Sequence, residues 1–172
     1  MNNKIYELDD NFKVFGCQSS IYKISGKEKL IVKIFSSKYD SLKKAENEFK
    51  IGKLFKINNI SVPKYIGICR VSKKNESEIY NAVVIENIKD SYLIKNCAKY
   101  NDMWKVPSNM LNRGRDLLKT EIKKIEHLPF KLVSTGYSFG LDYQGLYSPS
   151  KDCIYLIDFG QMNYIKNSSS IG

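Results

Sequence analysis

The strongest constraint on this chain is a lysine set inside an apolar run. Leu30-Ile31-Val32-Lys33-Ile34-Phe35 has the branched and aromatic content of a buried strand. Lysine is almost never fully buried unless it is paired. The fold must therefore bring a carboxylate to position 33, and the next segment offers two. A helix is predicted from about Ser41 to Ile57. Asp40 or Ser41 can cap its start, and Asn58-Asn59 ends it. On a helical wheel Glu48 shares its face with Ala45, Ile51, Gly52 and Phe55, whereas Glu46 sits with Lys43, Lys50 and Lys53. The apolar face packs inward, so Glu48 is the predicted partner of Lys33.

The rest of the chain reads as one domain of 172 residues. Met1-Asn2-Asn3-Lys4-Ile5-Tyr6-Glu7 has no apolar stretch of a Sec signal; a secretion signal read by a dedicated machine would not show in this way. No run approaches the roughly 18 apolar residues of a membrane span. Cys17, Cys69, Cys97 and Cys153 are scattered and His127 is the single histidine. A zinc site is therefore not expected, and free thiols in a reducing compartment are. The net charge of +10 could draw phosphate, nucleic acid, anionic lipid or an acidic protein. The lysines are spread, however, and no basic cluster is interleaved with aromatics as in an RNA platform. Nucleic acid is not the expected partner.

Strands are predicted at Phe12–Phe15, Ile21–Ile24 and Leu30–Phe35, with a turn at Ser25-Gly26-Lys27-Glu28. After the helix, Pro63 opens an extended piece through Ile68, and Ile79–Glu86 is another buried strand. Residues 91 to 108 read as irregular, with room for a short helix. Met110, Leu111, Leu117, Leu118, Ile122, Ile125 and Leu128 recur at helical spacing. Gly114 weakens that helix near its start. Residues 131 to 150 read as loop and short strand. Four apolar residues, Ile154 to Ile157, then lead directly into Asp158-Phe159-Gly160.

In chain order, Gly16, Lys33, Glu48, Glu86, Asp142 and Asp158 resemble the successive parts of a protein kinase. Val14-Phe15-Gly16-Cys17-Gln18-Ser19-Ser20 resembles a Gly-rich loop that keeps Gly16 and places Ser19 at the third glycine. Ile31-Val32-Lys33-Ile34 resembles the Val-Ala-Ile-Lys strand, which implies Lys33 on the nucleotide phosphates, held there by Glu48. Val83 to Ile88 resembles the strand into the hinge. There, backbone groups of Glu86 and Ile88 would receive the adenine edge and Ile85 would be the gatekeeper. Asp158-Phe159-Gly160 resembles the turn whose carboxylate holds Mg²⁺.

The catalytic loop departs from the family pattern of His-x-Asp followed by Asn. Aligned on Gly145, the base falls on Leu141 and the Asn on Leu146; shifted by one residue, Asp142 is the base and Tyr147 stands at the Asn. Asp142 is the carboxylate of the stretch and the preferred base. Gln144 is the side chain at hand for the second metal position. His127 lies too far upstream for the motif and suits the end of a helix.

The likeness covers about residues 10 to 165, with no activation segment or Ala-Pro-Glu after Gly160. Such brevity resembles the miniature kinases that bacterial pathogens secrete into host cells. The nearest kind phosphorylates the ninety-kilodalton heat-shock chaperone, and another binds ubiquitin-charged conjugating enzymes. The resemblance implies an α+β, protein-kinase-like fold. It would have a small antiparallel-sheet N-lobe with one helix (1–87), a truncated helical C-lobe (88–165) and a tail (166–172). A cleft would lie near Asn87 to Ser91. It also implies a monomeric Ser/Thr kinase that uses ATP and Mg²⁺ on a folded host protein, the chaperone being one such substrate. The effector would act in the host cytoplasm, or in the bacterial cytoplasm before export. The alternatives are a pseudokinase binding module, which the missing His and Asn favour, and a basic domain of unrelated function.

Overall fold

The computed structural model describes residues 5–15, 19–35, 41–72, 78–95, 106–134, 143–159 and 162–166. The architecture is mixed α+β, and the chain divides into two compact units. The first comprises Met1–Lys53 and Pro63–Asn87, and the second Leu54–Val62 and Ile88–Gly172.

The first unit is a five-stranded sheet that closes on itself, with most of one helix. Its elements are β1 (Ile5–Phe15), β2 (Ser19–Ile24), β3 (Lys27–Phe35), α1 (Ser41–Ile57), β4 (Tyr65–Ser72) and β5 (Ile79–Glu86). The strand order is β1-β2-β3-β5-β4. The pairings along that row are antiparallel. The antiparallel sheet expected is thus present, and it closes where Ile5–Glu7 runs parallel to Arg70–Ser72. The cause is an early start to β1. Asp9-Asp10-Asn11 precedes the strand predicted from Phe12, yet β1 runs through it. The register with β2 shifts between Asp9 and Lys13, as at a β-bulge.

Leu8, Tyr22, Ile24, Val32, Ile34, Cys69, Val71, Ala82 and Val84 form the core inside the sheet. Successive residues of a strand point to opposite faces. With Val32 and Ile34 in the core, Lys33 projects from the other face. Burial also pushes the Cys69 thiol up to about 11, which makes it an inert packing group.

Helix α1 has the predicted bounds. Asn59, at φ 58°, takes the left-handed conformation that ends it. The Ile60 amide donates to the Phe55 carbonyl and the Asn59 amide to that of Lys56, the paired bonds of a Schellman cap. The Asn58 side chain donates to the Leu54 carbonyl at 2.8 Å.

The second unit holds β6 (Tyr92–Lys95), α2 (Ser108–Glu126), β7 (Phe130–Ser134), β8 (Gln144–Ser148), β9 (Cys153–Ile157) and β10 (Met162–Lys166). One sheet is ordered β6-β8-β9 and the other pairs β7 with β10. Its described residues thus form two small sheets and one helix rather than a mainly helical body. Strand β6 lies where an irregular or helical segment was expected, and β10 follows the Asp-Phe-Gly turn. Each is four or five residues long, too short for its period to stand out.

Helix α2 buries Gly114, Leu118, Glu121 and Ile125 along one stripe. Gly114 is a contact point and not merely a weakness. A Cβ there would lie 2.8 Å from the Ile94 side chain and 3.3 Å from the Cβ of Tyr147. The Glu121 carboxylate accepts the Ser61 amide at 2.8 Å and Lys124 Nζ at 2.6 Å. The Leu156 amide donates to the Ser61 carbonyl at 2.8 Å. These bonds attach residues 54–62 to the second unit, although they precede β4. Among the described residues no helix is long and apolar enough to cross a membrane.

Arg113 of α2 pairs with Asp152 in the turn before β9, and Tyr147 donates to the same carboxylate at 3.1 Å. The Arg113 guanidinium holds the Asp152 carboxyl below its ordinary range. A lowered folded-state pKa stabilises above the unfolded value and loses that effect as pH falls through the folded value. Asp152→Asn, which keeps a residue tolerant of the left-handed turn, should therefore lower the urea midpoint at pH 7. The difference from wild type should begin to shrink as pH drops below about 3.9 and go on shrinking through the lower folded value; a difference that does not shrink with falling pH would contradict the ion pair.

Candidate functional site

The chemistry-bearing side chain of the first unit is Lys33. It sits mid-strand, opposite Ile21 of β2 and Val83 of β5, so its backbone is fixed on both sides. Its Nζ lies 2.8 Å from Glu48 Oε2, with the two side chains 6% and 1% exposed. The Phe35 ring, two residues on and on the same face, lies 5.2 Å from Nζ, within cation–π range. Glu48 shares the buried side of α1 with Ala45 and Ile51, while Glu46 is exposed. Glu48, the carboxylate on the apolar face of α1, is thus the one that meets Lys33.

Burying two charges is tolerable only with close pairing and further hydrogen bonds. The further bond comes from Tyr65, whose hydroxyl donates to Glu48 Oε1 at 3.3 Å. Sequence reasoning did not select Tyr65. The signal was Gly52, a helical glycine on an inward face, but nothing in the sequence names the ring that fills its space.

In the second unit Asp158 follows β9 and is exposed, with φ 74°. Asp and Asn adopt this left-handed conformation more readily than other side chains. The next residue, Phe159, is wholly buried. Its ring meets Phe55 edge-on at 4.8 Å and 76°, and its carbonyl accepts the Met162 amide at 2.9 Å. The turn therefore anchors an aromatic ring inward and presents a carboxylate outward.

Gln144 opens β8 directly opposite Ile157, one residue before Asp158, and is half-buried. Among the described residues no group of three or more His, Cys, Asp or Glu could hold a metal ion. Mg²⁺ at a nucleotide asks for less, since one or two carboxylates suffice beside phosphate oxygens and water. Asp158 is an exposed carboxylate of the type such an ion takes.

Glu86 has a structural task. Its amide donates to the Lys64 carbonyl at 2.9 Å and its carboxylate accepts the Lys64 amide at 3.1 Å. The Ile88 carbonyl accepts the Ser91 hydroxyl at 2.9 Å. His127 is the residue that closes α2. Cys69 and Cys153 are free thiols. Gly16, Leu141 and Asp142 lie outside the described residues.

Compared with known proteins, the chain matches no family model and no curated protein.

The buried pair makes a sharp stability prediction. Glu48→Ala should cost about 3–5 kcal/mol by urea denaturation, because it leaves a buried ammonium without its carboxylate. Glu46→Ala should stay within about 0.5 kcal/mol. Replacing the pair together, as Lys33→Met with Glu48→Leu, should recover most of the loss. Equal costs for Glu46→Ala and Glu48→Ala would show that the pair is not buried in solution.

Proposed function

We propose that the protein is a minimal ATP- and Mg²⁺-dependent phosphotransferase of the protein-kinase kind, acting on Ser or Thr of a folded protein. The observation that carries this reading is the buried Lys33–Glu48 pair, joining mid-strand β3 to the inward face of the next helix. Phosphoryl transfer asks a protein chiefly for positioning and electrostatic stabilisation. A lysine held rigid by one carboxylate offers a fixed cation to the α- and β-phosphates. Asp158, carried outward on a turn anchored by Phe159, supports the reading as the carboxylate for Mg²⁺. When bound, the ion would neutralise charge that develops between the phosphates. Asp142 is the proposed base that orients the acceptor hydroxyl, and Gln144 the proposed second oxygen donor. Gly16 would bring backbone close to the phosphates, and Glu86 and Ile88 would offer backbone groups to adenine.

The proposed substrate is a folded host protein, a heat-shock chaperone being the first to try, and the proposed setting is that of a secreted bacterial effector. A second reading, a pseudokinase that binds nucleotide without transferring phosphate, is favoured by one observation: residues 136 to 147 lack the family's His and Asn.

Incubation with radiolabelled ATP and a host-cell lysate separates the two. A labelled protein band, lost in Lys33→Ala, is the expected result. A nucleotide-induced melting shift without transfer would favour the binding module, and the absence of both signals would favour a basic domain unrelated to kinases. Asp158→Ala should lose Mg²⁺-dependent nucleotide binding and transfer together. Asp142→Ala should keep Mg·ATP binding while transfer falls about 10²–10⁴-fold, the usual worth of a positioned base. Transfer at the wild-type rate would remove Asp142 from the base position.

A further inference from the structure

Tyr65 opens β4, is 3% exposed, and gives its hydroxyl to Glu48 Oε1 at 3.3 Å. The other oxygen of that carboxylate takes Lys33 Nζ. The terminal torsion of a glutamate is broad, so one contact alone does not set the plane of its carboxylate. Two donors, one on each oxygen, do.

The Tyr65 ring reaches Glu48 because it lies on Gly52, one turn further along the same face of α1. A Cβ at position 52 would come within 2.4 Å of two ring carbons and 2.8 Å of a third. Any side chain there must displace the ring. The ring is also fixed from behind. Tyr65 pairs with Ile85 across the β4–β5 ladder, and the two Lys64–Glu86 bonds tie down the residue before it. Gly52 gives the room, and the ladder holds the ring in it.

We propose that Tyr65 is a positioning residue for the Lys33–Glu48 pair, and that Gly52 is the notch admitting its ring. Its effect on phosphates is indirect, through the orientation of Glu48 and hence of the Lys33 ammonium. That functional part rests on the nucleotide reading above; the positioning itself does not.

Tyr65→Phe is the test, because it keeps the ring in the notch and removes the donor. Trace labelling of Lys33 by an amine-reactive reagent, followed by mass spectrometry, reports how often the pair opens and needs no nucleotide. Loss of one net hydrogen bond should raise the Lys33 labelling rate about fivefold. Labelling of exposed Lys53 and amide exchange at Val84 in the core should not change. An unchanged Lys33 rate overturns the proposal. So does a rise matched by faster exchange at Val84, which would mean that the hydroxyl only stabilises the sheet. Mg·ATP affinity, titrated on the same variant, should fall by a similar factor. A wild-type protein that binds no Mg·ATP would defeat the nucleotide reading, and the labelling result would still decide the role of Tyr65.

Discussion

The first unit depends on one buried ion pair. Strand β3 has side chains buried on both faces, Val32 and Ile34 inside the closed sheet and Lys33 and Phe35 on the other. A cation on such a strand is acceptable only where a carboxylate meets it without water, and Glu48 does so at 2.8 Å. Pairs of this kind add little net stability, since desolvation offsets most of the attraction. Their consequence is geometric. With Tyr65 on the second carboxylate oxygen, β3, α1 and β4 have one arrangement that leaves no charge unpartnered. Among the described residues no buried side-chain nitrogen or oxygen lacks a hydrogen-bond partner. The proposed chemistry would draw on the same property, because a catalytic cation is useful only when its place is set in advance.

The second unit solves its polar problem with backbone. The segment after α1 is irregular, so its amides and carbonyls need partners when buried. Glu121 supplies one from inside α2 and Leu156 another from β9. Element ends throughout the chain use Asn and Asp in the left-handed conformation: Asn59, Asp90, Asp152 and Asp158 all have positive φ. Three of these are punctuation. Asp158 differs in what it joins, a buried strand on one side and a buried aromatic ring on the other, with the carboxylate left at the surface.

Much of the candidate site was legible before any coordinates. Lys33 stood out because a charge interrupts an apolar run. Glu48 stood out because the wheel places it among apolar residues and Glu46 among lysines. Asp158 stood out because it ends a run of four apolar residues. Tyr65 did not, since a strand-opening tyrosine is ordinary and its relation to Gly52 crosses from a strand to a helix. Nor did Glu121, which falls on the same stripe as Leu118 and Ile125 yet reads in sequence as one more surface carboxylate. Nor did the Glu86 carboxylate, which accepts the Lys64 amide, two strands away in the chain.

By itself, then, the sequence determined local matters: where α1 begins and ends, where β3, β5 and β9 run, and which carboxylate shares a face with the lysine. These follow from the periods of strand and helix, which are properties of adjacent residues. Only the tertiary structure decided that β1 passes through Asp9-Asp10-Asn11 to close the sheet against β4. The same holds for the pairing of β10 with β7, for residues 54–62 joining the second unit, and for the Tyr65 ring filling the space above Gly52. Each of these joins residues far apart in the chain through shape or a single hydrogen bond. Such contacts exist only once the intervening chain has folded, and no local period encodes them.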